Sequence, residues 1–236
     1  MRLSSPLVKR PTARIVGRWL ALLWVGLLLP AVAQDPSRDP APVSIDHPYS
    51  NAALRRIREW QALLDSGAKL STTAKLKAVN DFFNDLEFVD DILLWEAADY
   101  WATPVEFLAK GSGDCEDFAI AKYFTLVEMG VSSARLQITY VKAHKLNQAH
   151  MVLAYYATPA SDPRVLDNLV AEVLPGSARS DLTPVYSFNG RGLWIAKARG
   201  NSRRVGSATR IGPWRDLVIR MKQSKVHALF PEHATQ

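Results

Sequence analysis

Cys115 is the only cysteine in the 236 residues, and it stands in the stretch G-S-G-D-C-E-D, positions 111–117. Two glycines and a serine predict a flexible approach. Asp114 is a residue type favoured at a helix N-cap, and Asp117 lies three positions on, where its carboxylate can reach back to the cap. The pattern therefore places Cys115 in the first turn of a helix. There the helix dipole and the unpaired backbone N–H groups favour the thiolate, the form of cysteine that attacks carbonyl carbon. Asp114, Glu116 and Asp117 oppose it, because each adds negative charge beside the sulfur unless a cation neutralises them. A lone cysteine also packs as a small hydrophobe, so the sulfur by itself leaves a structural role open.

A thiolate nucleophile needs a general base and a group that orients the base. His150 opens one strand pattern and Asp167 falls within the next; if these strands are neighbours, imidazole and carboxylate meet above the sheet end, against the Cys115 helix. Each has a plainer reading, since a strand histidine can be structural and Asp167 before Asn168 can begin a turn. For an oxyanion, the Cys115 backbone N–H is the first candidate donor, and Trp95 or Asn84 the second; spacing does not choose between them. Zinc is disfavoured, because one cysteine and scattered histidines provide no cluster of metal-ligand spacing.

The elements that must position these residues read as helices followed by strands. The Cys115 helix continues through Phe118, Ile120, Ala121, Phe124, Leu126 and Val127, and Gly130 is placed to end it. Upstream, a helix is predicted over 51–64 with Leu54, Ile57, Gln61 and Leu64 on one face. A second, capped by Ser71 or Thr72, carries Leu76, Val79, Phe82, Phe83 and Leu86. Positions 88–104 interleave Asp90, Asp91, Glu96 and Asp99 with Trp95, Tyr100 and Trp101, a mixture suited to lining a cleft or metal site. Thr103-Pro104-Val105-Glu106 is a helix start. Beyond Gly130, strands are predicted over 136–141, 150–156, 165–169, 185–188 and 193–198, with a turn at 189–192. Helices followed by antiparallel strands define an α+β domain.

The ends of the chain differ from this body. Residues 1–33 have the form of a secretory signal, with a basic start, an apolar run from Trp19 to Pro30 and an Ala31-Val32-Ala33 cleavage site. That run is short for a membrane span, so no stable membrane anchor is expected. Positions 34–50 read as a flexible linker, 51–198 as the domain, and 199–236 as a basic C-terminal tail with one helix around 214–221. The whole chain has 29 Lys and Arg against 23 acids. Without the signal segment the count is 24 against 23, a net +1, so the body carries no nucleic-acid footprint. Export to an oxidising compartment with one cysteine leaves a thiol that no intrachain disulfide can take up.

Six stretches are specific enough to carry a resemblance: D-Y-W-A-T-P, G-S-G-D-C-E-D-F-A-I-A-K-Y, Y-V-K-A, A-H-M-V-L-A-Y-Y, V-L-D-N-L and V-Y-S-F-N-G-R-G-L-W. Together they resemble the bacterial transglutaminase-like cysteine proteinases, in particular their periplasmic adhesin-processing type. The resemblance implies a papain-like, transglutaminase-like core in which Cys115 is nucleophile, His150 general base and acid, and Asp167 the residue that orients the imidazole. It also implies Ca2+, with Asp114 and Glu116 as binding carboxylates and Asp117 as a further ligand. Because calcium takes six to eight oxygens, Asn84, Asp85, Asp90 or Asp91 are expected to help complete its sphere. The implied substrate is the N-terminal region of a large surface adhesin, cut at a di-alanine site to release cells from biofilm. The implied partner is an inner-membrane cyclic di-GMP receptor that sequesters the protease, with Trp95, Tyr100 and Trp101 as a contact surface. The alternatives are a transglutaminase-type acyltransferase, which passes the acyl group to an amine, and a non-catalytic calcium-dependent binding module.

Overall fold

The computed structural model describes residues 49–196 and 202–223. The signal segment, nearly all of the linker and positions 224–236 lie outside the described residues. Helix α1 (Asn51–Gly67) is capped by the Ser50 hydroxyl, which accepts from the Ala53 N–H at 3.1 Å. Its buried residues are Ala53, Trp60 and Gly67, so the inward face is rotated by one residue from the expected one: Trp60, not Gln61, enters the core. The fully buried indole explains the rotation, because its N–H donates to the Thr125 hydroxyl at 2.9 Å and leaves no polar group unsatisfied.

Helix α2 (Thr72–Asn84) starts at Ser71 and buries Leu76, Val79 and Phe83, as the spacing predicts; it also buries Asn80. Strand β1 (Glu87–Phe88) and the short helix α3 (Asp91–Leu94) follow. Helix α4 (Pro104–Lys110) has the full capping box, with Thr103 and Glu106 satisfying each other's backbone N–H groups. After β2 (Ser112–Gly113) comes α5 (Cys115–Glu128), buried on nearly all sides from Asp117 to Leu126.

The second half is made of antiparallel strands: β3 (Leu136–Ala143), β4 (Gln148–Tyr155), β5 (Arg164–Leu166), β6 (Leu174–Pro175), β7 (Leu182–Asn189), β8 (Gly192–Ala196) and β9 (Ser202–Gly206). They form one sheet in the order β6-β5-β4-β3-β7-β8-β9, with β3 and β4 at its centre and α5 packed on them. The β7–β8 hairpin closes at the Asn189–Gly192 pair, where the turn was expected.

The C-terminal stretch corrects the expectation of a separate tail. Strand β9 extends the sheet, and α6 (Gly212–Gln223) sends Trp214, Leu217 and Met221 into the same core as α5. Trp214 stacks on Phe124 with centroids 5.6 Å apart. The helix expected around 214–221 is present, and amid abundant Gly, Ser and Arg its three apolar residues at helical spacing suffice to dock it.

Phe83 is fully buried and stacks on Phe107 at 6.0 Å. Phe83→Ala is expected to lower unfolding free energy by about 3–5 kcal/mol. Leu93→Ala, at a side chain 76% exposed, should change it by no more than ~0.5 kcal/mol. Urea denaturation of the two variants checks the contrast.

Candidate active site

The approach to Cys115 is fixed by structure, which corrects the expected flexibility. Gly111 closes α4 in the left-handed region at φ 77°, where a Cβ would lie 2.6 Å from the Arg56 guanidinium. That guanidinium donates to the Leu108 and Ala109 carbonyls at 2.6 and 3.0 Å, tying α1 to the end of α4. Ser112 and Gly113 then pair in parallel with Glu87 and Phe88. A side chain on Gly113 would collide with the Asp117 carboxylate and the Phe107 ring, so only glycine lets the chain pass. Asp114 takes the N-cap position of α5, but its side chain makes no capping hydrogen bond.

Cys115 is thus the first residue of α5, as expected, and packs partly buried against the core. Its thiol is 3.0 Å from Glu116 Oε2, to which it donates, and the Met151 backbone N–H, next to His150 on β4, acts in the opposite direction by favouring the thiolate. Burial pushes the thiol well above its ordinary range, and the charge of Glu116, that hydrogen bond and Asp114 push it further. The helix N-terminus does not by itself produce a thiolate here.

His150 and Asp167 meet. His150 Nε2 is 2.7 Å from Asp167 Oδ1, and both side chains are almost fully buried. The juxtaposition follows from topology: β4 carries His150, β5 pairs with β4, and Asp167 is the first residue past β5. With Nε2 on the carboxylate, Nδ1 is the imidazole nitrogen left for the thiol. Asp167 Oδ1 also accepts from the Leu169 N–H at 3.0 Å, and Oδ2 from Arg179 Nη2 at 2.7 Å. Sequence reasoning missed Arg179, which follows a short 3-10 turn and is also held by Asp181; no spacing signal marks it. Burial raises the pKa of Asp167, but the hydrogen bonds from His150, Leu169 and Arg179 outweigh it and bring the value down to about 2.

That depression has a pH consequence with a definite sign. The folded carboxyl titrates below its ordinary value of 3.8, so its stabilising contribution is present above about pH 4 and disappears as pH falls toward 2. The contribution is about 2 kcal/mol. The stability difference between wild type and Asp167→Asn should therefore shrink across that window in denaturant titrations.

A second constellation lies beside the sulfur. Carboxylate oxygens of Asp91, Asp114 and Asp117 converge within 4.8 Å, as do those of Asp91, Asp99 and Glu116, and Asp114 and Glu116 flank the Cys115 sulfur in the same way. Backbone N–H groups of Tyr100 and Ala102 satisfy one oxygen each of Asp91 and Asp117. Asp91 Oδ1, Asp114 Oδ1 and Asp117 Oδ2 remain buried with no hydrogen-bond partner. Burial, reinforced by the neighbouring acids, raises Asp91 to about 7 and Asp114 to about 10, and raises Glu116 and Asp117 as well. Orphaned buried carboxylate oxygens facing one another fit a hard divalent cation with oxygen ligands.

Of the residues expected around a metal, Asp91, Asp114, Glu116 and Asp117 are brought together, and Asp99, from the acidic and aromatic stretch expected to line a cleft or metal site, joins them. Asp90 is exposed at the N-cap position of α3. Asp85 is exposed at the end of α2, lining a hollow with Arg55, Arg56 and Glu59. Asn84 is committed elsewhere: its amide nitrogen donates to the Asp167 carbonyl at 2.8 Å and its oxygen accepts from Lys122 at 2.6 Å. These bonds also argue against Asn84 as an oxyanion donor, whereas the buried Trp95 indole N–H has no partner.

Trp95, Tyr100 and Trp101 are each less than a tenth exposed, which corrects their expected role as a contact surface. Trp95 packs on Tyr100 with centroids 4.4 Å apart, Trp101 donates to Asp99 at 2.9 Å, and both frame the carboxylate cluster. The accessible apolar residues nearby are Ile92 and Leu93 of α3.

A helix-borne cysteine against a sheet that presents a His–Asp pair is the layout of a transglutaminase-like cysteine peptidase. Residues 60–183 match the family of bacterial transglutaminase-like cysteine proteinases, and the chain belongs to that family. Among solved structures it is similar to LapG of Legionella pneumophila. The EGTA-treated form is 48% identical, with a TM-score of 0.67, over 73% of this chain and 91% of that one. A further structure of the same protein is 47% identical with a TM-score of 0.67, over 73% of this chain and 90% of that one. The calcium-bound form is 48% identical with a TM-score of 0.65, over 73% and 93%. No curated protein matches the chain. No helix among the described residues is long and apolar enough to cross a membrane.

Proposed function

We propose that the chain is a calcium-dependent periplasmic cysteine endopeptidase with a Cys115, His150 and Asp167 triad. It cleaves the N-terminal region of a large surface adhesin at a di-alanine site, releases it and disperses biofilm, and an inner-membrane cyclic di-GMP receptor holds it in check. The observation that carries this reading is the 2.7 Å His150–Asp167 bond, with His150 on β4, the strand against which the Cys115 helix packs. The substrate and partner are those that the resemblance of the sequence to the adhesin-processing proteinases implies.

His150 Nδ1 takes the thiol proton, and the sulfur attacks the scissile carbonyl carbon. Asp167 keeps the imidazole in the tautomer and orientation that leave Nδ1 toward the sulfur, and stabilises the imidazolium that forms. The Cys115 N–H, at the start of α5, and the unpartnered Trp95 indole N–H are the donors for the oxyanion. His150 returns its proton to the leaving amine, giving a thioester on Cys115. Water, deprotonated by His150, then releases the new carboxylate. Asp91, Asp99, Asp114, Glu116 and Asp117 would hold the calcium ion, which would neutralise the carboxylates that otherwise disfavour a thiolate.

The test is incubation of the exported form with an N-terminal adhesin fragment in calcium, followed by mass analysis. The expected result is two fragments whose summed mass exceeds the substrate by one water. A crosslinked product with loss of ammonia would identify an acyltransferase instead, and release by a Cys115→Ala variant would identify a binding module.

A further inference from the structure

Lys122 is a charged side chain that the chemistry above does not use, and it is 1% exposed. It lies on α5 seven residues, two helical turns, beyond Cys115, on the same side of the helix. Its ammonium group donates to Asn80 Oδ1 at 2.9 Å and to Asn84 Oδ1 at 2.6 Å. These asparagines are one turn apart on α2, and each turns its amide nitrogen to the segment following β5. Asn84 donates to the Asp167 carbonyl and Asn80 to the Ala171 carbonyl, both at 2.8 Å.

One buried cation thus orients two amides, and the amides pin both ends of the 167–171 segment. Burial pulls the lysine down to about 7 against the attraction of Asp167. Such a group is costly to bury for packing alone, and Phe118, whose ring centroid is 5.8 Å from the ammonium, is its aromatic neighbour.

We infer that Lys122, with Asn80 and Asn84, forms a positioning strut that ties the nucleophile helix to the segment bearing Asp167 and so sets the imidazole of His150 relative to Cys115. The inference rests on the proposed triad. Lys122 orients the amides, Asn84 fixes the backbone of Asp167, and Asp167 fixes His150. No member of the strut exchanges a proton with substrate. Asn84 is the informative position, because its carbonyl oxygen serves the lysine and its nitrogen serves Asp167.

The test compares wild type, Asn84→Asp, Lys122→Met and Asp167→Ala in the full exported chain, with two readouts. One is the rate of Cys115 alkylation by iodoacetamide, and the other is the low-field proton resonance of the His150 Nε2–H. Asn84→Asp keeps an acceptor for Lys122, so the melting temperature should hold. It cannot donate to the Asp167 carbonyl, so alkylation should slow by roughly 10- to 100-fold, as expected for a misplaced catalytic group, and the resonance should broaden or shift. Lys122→Met should do the same if folded. Wild-type reactivity and resonance in Asn84→Asp, with both lost in Asp167→Ala, overturn the strut and leave the triad standing. An Asp167→Ala protein as reactive as wild type overturns both.

Discussion

His150→Ala is expected to leave a folded protein whose turnover falls by on the order of 10^4-fold or more. The thiol lies in a buried, acidic setting that raises its pKa, so a base must take its proton at the moment of attack. Among the described residues, His150 is the histidine whose side chain bonds the buried Asp167. Folding should survive the substitution, because Asp167 keeps its bonds from Arg179 and Leu169 and no buried charge is stranded. Asp167→Asn should lose on the order of 10^3- to 10^4-fold, since an amide at this position can favour the wrong imidazole tautomer. The double variant should be little worse than His150→Ala, because groups that act as one unit are not additive. Full activity in either single variant would remove the triad.

Chelation of calcium should abolish activity and lower the melting temperature together. Five acids, Asp91, Asp99, Asp114, Glu116 and Asp117, surround the Cys115 turn, and three of their buried oxygens have no partner in the protein. A cation bound at a hundred times its dissociation constant stabilises the folded chain by about 2.7 kcal/mol. For a domain of this size that corresponds to a shift of roughly 5–10 °C. Asp114→Ala and Glu116→Ala should remove most of the calcium-induced shift while still folding, because they relieve mutual repulsion in the metal-free protein. Magnesium should substitute poorly, since it demands a tighter octahedral sphere. Identical melting in chelator and in saturating calcium would take the metal out of the account.

The helices and central strands are readable from the chain because their signals are local. The capping box at Thr103 and Glu106, the apolar run of α5 and the alternation of β3 each fix an element from neighbours in sequence. Cys115 and His150 stand out because their residue types are scarce, and Asp167 because its element follows that of His150 in order. Arg179 and Lys122 are invisible for the opposite reason. Each gains its role from partners far away in sequence or from burial, and neither leaves a spacing pattern. The G-S-G approach misleads for the same cause, since Gly111 and Gly113 are set by Arg56 and by Asp117 and Phe107 rather than by a need for flexibility. In α6, three core residues are diluted by Arg and Gly, and docking against Phe124 decides the outcome.

The most direct test of the central claim is the pH dependence of Cys115 alkylation in calcium, for wild type and His150→Ala. An ordinary thiol titrates near ~8.5. The account predicts rapid wild-type reaction well below that value, slowed steeply when His150 is removed. A wild-type profile that rises only above ~8.5 and is unchanged in His150→Ala would show that Cys115 has no base, and would contradict the assignment of this site as a cysteine peptidase centre.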